Sequence, residues 1–212
     1  MQAVEINTGP DPRACVIWLH GLGADGHDFE PIVPELELAK PVRFLFPHAP
    51  VRAVTINQGM RMRAWYDILQ FGGGPEDEAG VRASQQLVEA MMAEQRGRGI
   101  GKIVLAGFSQ GGAIALQTAL RHRERLAGVL ALSTYLPLNA TLAAERSPAN
   151  QDLPIFMAHG QYDDIIPLAR AEQSRRILER LGYKVQWQVY PMPHSVCPEE
   201  IAAISAFLRE IL

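Results

Sequence analysis

Six short segments along the chain have strand-like patterns, and helical patterns separate most of them. Five are apolar and predict strands at residues 15–20, 42–46, 102–108, 126–132 and 154–160, and the sixth, at 184–190, alternates and predicts a strand nearer the sheet edge. Helices are predicted at residues 27–38, 77–96, 110–124, 167–181 and 198–211. Segments that are apolar throughout are typical of parallel strands buried on both faces. The alternation therefore predicts an α/β fold with a mostly parallel central sheet and helices on both faces.

Two long segments lack a clear period. Residues 48–76, which include the sequence GGGP, and residues 133–153 are both predicted to be long loops. A loop of this length in a compact domain is usually functional or disordered. Because no extra helix is predicted between the strands at 126–132 and 154–160, no large lid domain is expected. At 212 residues, the chain is predicted to be a single domain over 1–212.

Composition and charge argue against several functions. The chain is 48% hydrophobic with a formal net charge of -3, so it offers no basic surface for nucleic acid. Cys15 and Cys197 are too few for a disulfide framework. The first residues lack a signal-peptide pattern, and no apolar run approaches the roughly 20 residues that span a bilayer. A cytoplasmic protein without a stable membrane anchor is therefore expected.

The strongest chemical signal is the sequence Gly107-Phe108-Ser109-Gln110-Gly111. It matches G-x-S-x-G and lies directly between a predicted strand and a predicted helix. Such a junction requires a sharp, strained turn, at which glycines avoid Cβ clashes. The turn would raise Ser109 above the sheet edge at a helix N-terminus. We predict that Ser109 is a catalytic nucleophile, the alternative being a glycine-rich turn with a capping serine.

A serine nucleophile requires a base, and in chains with this elbow the acid and then the histidine follow the serine. His194 follows the strand at 184–190 and lies in the sequence YPMPHSVCP, before the last helix. This is the sheet edge where ligands of open α/β sheets bind, so His194 is the predicted base. His159 ends the strand at 154–160, and a structural role is predicted for it.

Two adjacent carboxylates, Asp163 and Asp164, compete to orient the base. The acid must hold His194 in position and stabilise its imidazolium form. The other carboxylate is expected to cap the helix that opens at Pro167. Spacing alone leaves both assignments open.

An oxyanion hole requires two hydrogen-bond donors. The first is predicted to be the backbone N–H of Gln110, the residue after the nucleophile. The second is expected in the loop His20-Gly21-Leu22-Gly23, which follows an early strand. The backbone N–H of Leu22 is the predicted donor, the alternative being an ordinary glycine-rich turn.

Six motifs stand in a family-specific order along nearly the whole chain. They are WLHGLGADG (18–26), FPHAP (46–50), NQGMRMRAWYD (57–67), GFSQGG (107–112), HGQYDDIIP (159–167) and PHSV (193–196). Together they resemble the small carboxylesterase and acyl-protein thioesterase family of α/β hydrolases, also described as phospholipase/carboxylesterases. The resemblance implies the α/β-hydrolase fold with little or no lid domain.

The resemblance also implies site assignments. The family's aspartate stands three residues after the glycine of H-G, which is Asp163 here, and Asp164 occupies a neighbouring position that is often proline. It implies the oxyanion pair Leu22 and Gln110. No metal or cofactor is expected. Many family members form homodimers that partly cover the acyl site, so a homodimer is one expected assembly.

The loop at 68–76 departs from relatives and is predicted to shape the acyl pocket. The predicted substrate-binding residues are Met60, Trp65, Tyr66, Leu69 and Phe71. For Met60 and its neighbour Met62, packing of the loop onto the core is an equally good explanation, since methionine commonly fills gaps.

The expected function is carboxylic ester hydrolysis through an acyl-enzyme, on small-molecule or lipid-like esters with short to medium acyl groups. The alternative is acyl-protein thioesterase or lysophospholipase activity on longer chains. An enzyme resembling dienelactone hydrolase would carry cysteine at position 109, where this chain has serine. A non-catalytic binding module would be expected to lose a triad residue, and none is lost.

Overall fold

The computed structural model describes residues 1–70 and 74–212. Its strands are β1 (Ala3–Asn7), β2 (Ala14–Leu19), β3 (Val42–Pro47), β4 (Val51–Val54), β5 (Met60–Arg63), β6 (Lys102–Phe108), β7 (Gly128–Leu132), β8 (Ile155–Gly160) and β9 (Val185–Tyr190). Its helices are α1 (Glu78–Gly97), α2 (Gln110–Arg121), α3 (Asn139–Glu145), α4 (Leu168–Arg180) and α5 (Pro198–Ile211). Within the described residues, seven strands form a sheet in the order β1-β3-β2-β6-β7-β8-β9.

The sheet is parallel except at one edge, where β1 runs antiparallel to β3. Every residue of β2, β7 and β8 is buried, because helices cover both faces. Val88 of α1 and Ile114 of α2 belong to the core on one face, and Phe207 of α5 to the core on the other. The predicted fold class, an α/β-hydrolase fold with a mostly parallel sheet between helical layers, is confirmed. None of the helices in the described ranges is both long and apolar enough to cross a bilayer.

Two expectations near the N-terminus were wrong. Residues 3–7 were not predicted as a strand, yet they pair with β3 in a register that places Val4 opposite Phe46. The segment at 27–38 contains only a 3₁₀ helix at Glu30–Glu35 in place of a longer helix. Pro31 and Pro34 explain the difference, since proline lacks the N–H that helical hydrogen bonds require.

The two predicted loops contain regular structure. In the first, β4 and β5 pair as an antiparallel hairpin beside a 3₁₀ helix at Thr55–Asn57. Gln58 and Gly59 turn the hairpin with positive φ angles of 57° and 77°. In the second, the predicted absence of a helix was wrong, because α3 lies between β7 and β8.

The short helix α3 is attached to the helical layer. Arg121 of α2 donates from Nε to Glu145 Oε2 at 2.6 Å and from Nη2 to the Leu138 carbonyl at 3.0 Å. Thr141 also donates to Glu145 Oε2 at 2.8 Å. A seven-residue helix anchored in this way is too small and too firmly held to act as a large lid.

A buried carboxyl group lies in the first turn of α5. Glu200 has no exposed surface, and no side chain of the described residues donates a hydrogen bond to it. Burial raises the pKa of Glu200 from 4.5 to about 8, an effect that the backbone of Cys197 partly opposes. The carboxyl group is therefore protonated in the folded protein at neutral pH.

This carboxyl group makes stability depend on pH. Between pH 4.5 and about 8 the folded chain holds a proton at Glu200 that the unfolded chain has lost. Stability contributed by this site therefore falls as pH rises through that window. Glu200→Gln removes the effect, so its Tm relative to wild type should rise by several degrees from pH 5 to pH 8. The exposed neighbour Glu199, changed to Gln, is the control. A Tm difference that is constant across this range would contradict the prediction.

Candidate active site

The turn between β6 and α2 places Ser109 in a strained conformation. Its φ and ψ are 55° and -119°, a region that non-glycine residues rarely occupy. A Cβ atom at Gly107 would lie 2.3 Å from the Gly111 carbonyl carbon, and one at Gly111 would lie 2.2 Å from the Leu19 carbonyl oxygen. Both glycines of the motif are therefore required by the close approach of backbone segments, as the sequence predicted.

The end of β7 and the segment that follows it hold the backbone of Ser109. Its N–H donates to the Leu132 carbonyl at 2.9 Å, and its carbonyl accepts from Thr134 Oγ1 at 2.6 Å. A strained residue persists only where surrounding contacts determine its conformation. These bonds fix the direction of the Ser109 side chain at the carboxyl edge of the sheet.

His194 and Asp163 are joined across two loops at the same edge. The Asp163 side chain is fully buried, and its Oδ2 lies 2.7 Å from His194 Nδ1. Its other oxygen, Oδ1, accepts the backbone N–H groups of Ile165 at 3.0 Å and Ile166 at 2.8 Å. Since an ionised carboxylate only accepts, His194 Nδ1 carries the proton and Nε2 remains free to accept one.

Asp164 has a different environment from Asp163. It is exposed, and neither aspartate caps the following helix. The residue before α4 is Pro167, which makes no side-chain capping bond. The expectation that one carboxylate caps this helix was therefore wrong. Asp163 instead bonds both to the histidine and to its own turn.

His159 lies beneath the pair and is completely buried. Its Nε2 is 2.7 Å from the Ile166 carbonyl, which only accepts, so this nitrogen carries a proton. The same nitrogen lies 3.2 Å from Asp163 Oδ2. Burial lowers the pKa of His159, which favours the neutral ring. His159 thus supports the position of Asp163 from inside the fold.

The two predicted oxyanion donors lie on adjacent backbone segments. Gln110 is the first residue of α2, so its N–H has no partner within the helix. The N–H of Leu22 makes no hydrogen bond to the described residues. Both residues line the same cavity as Ser109.

His20 holds the loop that carries Leu22, a role not predicted from the sequence. Its Nε2 accepts the N–H of Ala49 at 3.0 Å, so Nδ1 carries the proton and donates to the Gly21 carbonyl at 2.7 Å. Burial lowers the pKa of His20 and favours this neutral form. The position of this histidine after a strand, within the H-G-L-G sequence, was the available signal.

The predicted nucleophile and base share a cavity of about 380 Å³. Ser109 and His194 both line it, and the His194 ring lies 4.7 Å from the Phe108 ring, between centroids. The apolar part of its wall is formed by Leu22, Ala24, Ile68, Leu69, Pro75, Phe108, Ile165 and Ile166. The cavity therefore presents an apolar surface beside the serine.

The predicted pocket residues are divided by the structure. Tyr66 and Leu69 line the cavity. Trp65 does not, because it is completely buried in the core, and Met60 does not, because it lies in β5 with 64% of its surface exposed. The assignment of Trp65 and Met60 to the pocket was therefore wrong. Phe71 lies outside the described residues.

Two cavity residues, Tyr135 and Arg170, were not predicted. The hydroxyl groups of Tyr66 and Tyr135 are 2.7 Å apart, and the Arg170 guanidinium lies 3.4 Å from the centre of the Tyr135 ring. Burial is the main cause that raises the pKa of both tyrosines, so both remain protonated donors. Tyr135 follows β7 at the carboxyl edge of the sheet, which was the available sequence signal.

Comparison with known proteins places this geometry in a family. Residues 2–212 match the phospholipase/carboxylesterase family. The chain is 40% identical over 213 residues to acyl-protein thioesterase 1 of Gibberella zeae, covering 94% of this chain and 91% of that protein. It is 38% identical to acyl-protein thioesterase 1 of Mycosarcoma maydis, covering 97% and 94% of the two chains.

Solved structures show the same architecture. Arabidopsis thaliana SOBER1 superposes with a TM-score of 0.89 at 28% identity, covering 93% of this chain and 98% of that one. Acyl-protein thioesterase 2 of Zea mays superposes with a TM-score of 0.87 at 26% identity, covering 99% of each chain. The chain therefore belongs to the phospholipase/carboxylesterase family of α/β hydrolases.

Proposed function

We propose that this protein is a serine hydrolase that cleaves carboxylic esters through a covalent acyl-enzyme. In this proposal Ser109 is the nucleophile, His194 the general base and Asp163 the residue that orients the base. The observation that carries the proposal is the 2.7 Å bond from His194 Nδ1 to a fully buried Asp163, with the serine at a strained elbow in the same cavity. That arrangement supports a Ser-His-Asp triad.

The reaction begins with attack of Ser109 Oγ on the acyl carbonyl carbon, while His194 Nε2 accepts the hydroxyl proton. The carbonyl oxygen becomes an oxyanion, and we assign its stabilisation to the N–H groups of Leu22 and Gln110, which line the same cavity. The intermediate collapses, the bond to the leaving group breaks, and His194 returns the proton to the departing alkoxide or thiolate. Water, deprotonated by His194, then releases the acid and regenerates Ser109.

The cavity supports short to medium acyl groups. Its volume of about 380 Å³ is near the lower end of the roughly 300–1,000 Å³ typical of small-molecule sites. Ile68, Leu69 and Ile165 supply apolar surface for an acyl chain, while Tyr66 and Tyr135 place hydroxyl groups on the wall. A chain that fills the apolar part would meet these polar groups.

Thioester hydrolysis is a second candidate. Relatives at 40% and 38% identity are named acyl-protein thioesterase 1, which supports this activity for the present chain. The same triad and oxyanion donors serve both reactions, because the attacked carbonyl group is common to esters and thioesters. The two proposals differ in leaving group and in the length of acyl chain accepted.

A series of acyl lengths separates these proposals. For p-nitrophenyl esters below their critical micelle concentrations, kcat/KM should rise up to about fourfold per methylene, from about 0.8 kcal/mol of burial each, and then reach a plateau. Matched thioesters of the same lengths report the leaving-group preference. A continued rise through the longest soluble chains would favour the thioesterase or lysophospholipase alternative. Absence of hydrolysis in both series would contradict the proposed function.

A further inference from the structure

Trp65 has no place in the reaction described above, yet it is completely buried and bonded on several sides. Its backbone N–H donates to Gln110 Oε1 at 2.7 Å, and its indole Nε1 donates to the His20 carbonyl at 2.9 Å. Its own carbonyl accepts from Ser84 Oγ. One residue therefore contacts both segments that carry the proposed oxyanion donors.

The first contact fixes the Gln110 side of the hole. The Gln110 side chain accepts from the Trp65 N–H and donates from Nε2 to the Tyr66 carbonyl at 2.7 Å. The amide is thus paired with the backbone of residues 65–66 on both of its polar atoms, and Gln110 is buried. This pairing restrains the residue whose backbone N–H is the first proposed donor.

The second contact fixes the Leu22 side. The Gly21 carbonyl and the Leu22 N–H belong to one peptide group, so the bond from His20 Nδ1 to that carbonyl sets the opposite direction of the N–H. The preceding peptide group is held through its carbonyl by the Trp65 indole. The His20 and Trp65 rings also pack together, with centroids 5.4 Å apart.

We propose that Trp65 is a positioning residue that couples the two donors of the oxyanion hole. Its backbone holds the donor at Gln110 through the glutamine side chain, and its indole N–H holds the loop of the donor at Leu22. This inference rests on the proposed function, because it assigns these two N–H groups to the oxyanion. Loss of the indole donor should weaken binding of the transition state and leave binding of the substrate unchanged.

The test replaces Trp65 with phenylalanine, which retains an aromatic ring but has no N–H donor. Trp18→Phe is the matched control, since Trp18 is equally buried and its Nε1 makes no hydrogen bond among the described residues. For Trp65→Phe, kcat should fall between about tenfold and about a hundredfold. This is less than the roughly 10²–10³-fold fall in kcat that follows removal of one oxyanion-hole donor, because both backbone donors remain. The KM of Trp65→Phe should change less than twofold, and Trp18→Phe should change neither constant.

A second measurement isolates the oxyanion. In the proposed site, Ser109 Oγ adds to the carbonyl carbon of a trifluoromethyl ketone while His194 Nε2 takes the hydroxyl proton, so a C–O bond and an oxyanion form. The corresponding alcohol forms neither. Trp65→Phe should lose affinity for the ketone by the factor found in kcat and keep its affinity for the alcohol. Gln110→Met, which keeps the backbone N–H but removes both side-chain bonds, should behave in the same way and serves if Trp65→Phe fails to fold.

The possible results distinguish failure of the Trp65 coupling from failure of the proposed function. If a folded Trp65→Phe protein matched Trp18→Phe in kcat and ketone affinity, the coupling would be wrong, and Trp65 would only fill the core. The same conclusion would follow if Trp65→Phe changed KM alone. If Gln110→Met, used in its place, kept wild-type kcat, the coupling would likewise be wrong while the proposed function stood. A wild-type protein that neither hydrolyses esters nor binds the ketone would overturn the proposed function and this inference together.

Discussion

Replacing Ser109 with alanine is expected to lower kcat/KM for ester hydrolysis at least about 10⁴-fold while the protein remains folded. Alanine cannot form the acyl-enzyme, so only binding and the oxyanion donors remain to accelerate attack by water. The change removes one oxygen atom, and the backbone bonds of residue 109 to Leu132 and Thr134 do not involve it. Circular dichroism and Tm should therefore match wild type.

A fluorophosphonate probe reports the same residue independently of any substrate. Wild-type protein should be labelled covalently, and Ser109→Ala should not. Ser133→Ala is a suitable control, because Ser133 also has a positive φ, 45°, at the carboxyl end of the neighbouring strand, and its buried hydroxyl group has no partner among the described residues. Labelling retained in Ser109→Ala, or more than about a tenth of wild-type kcat/KM, would remove Ser109 from the nucleophile role.

The central strands were predictable because burial on both faces leaves a continuous apolar sequence. β2, β6, β7 and β8 carry such sequences, and all four were predicted. The edge strand β1 was missed, because its five residues AVEIN are only partly buried and alternate weakly. The hairpin of β4 and β5 was missed for a similar reason, since no residue of MRMR is buried and its polar residues resemble a loop.

That Ser109 and His194 would line one cavity was easier to predict than the walls of that cavity. Ser109 and His194 lie at strand ends, where chain order and sheet topology determine which residues meet. Trp65 was assigned to the pocket that the loop at 68–76 is predicted to shape. The direction of its side chain is set by the indole bond to the His20 carbonyl, 45 residues away, and no local pattern encodes such a contact. Side-chain direction in irregular segments is a property of the tertiary fold.

Asp163→Asn is expected to lower kcat about 10⁴-fold, whereas Asp164→Asn should remain within about twofold of wild type. The N–H groups of Ile165 and Ile166 require an acceptor, so the amide oxygen of the asparagine would face them. Its NH₂ group would then point at His194 Nδ1 and donate to it. The histidine would carry its proton on Nε2, the tautomer that cannot accept a proton from Ser109.

Asp164 provides the matched control, because it carries the same side chain one position away and is exposed. Asp163→Asn is also expected to lower stability, because of His159. The Nε2–H of His159 lies 3.2 Å from Asp163 Oδ2, so an NH₂ group in place of Oδ2 would bring two donors together. The assay should therefore measure kcat at a temperature where both variants are folded by circular dichroism. If Asp164→Asn were the more damaging change under those conditions, Asp163 would not be the residue that orients the base. Equal, small losses in both variants would show that His194 keeps its working tautomer without a carboxylate.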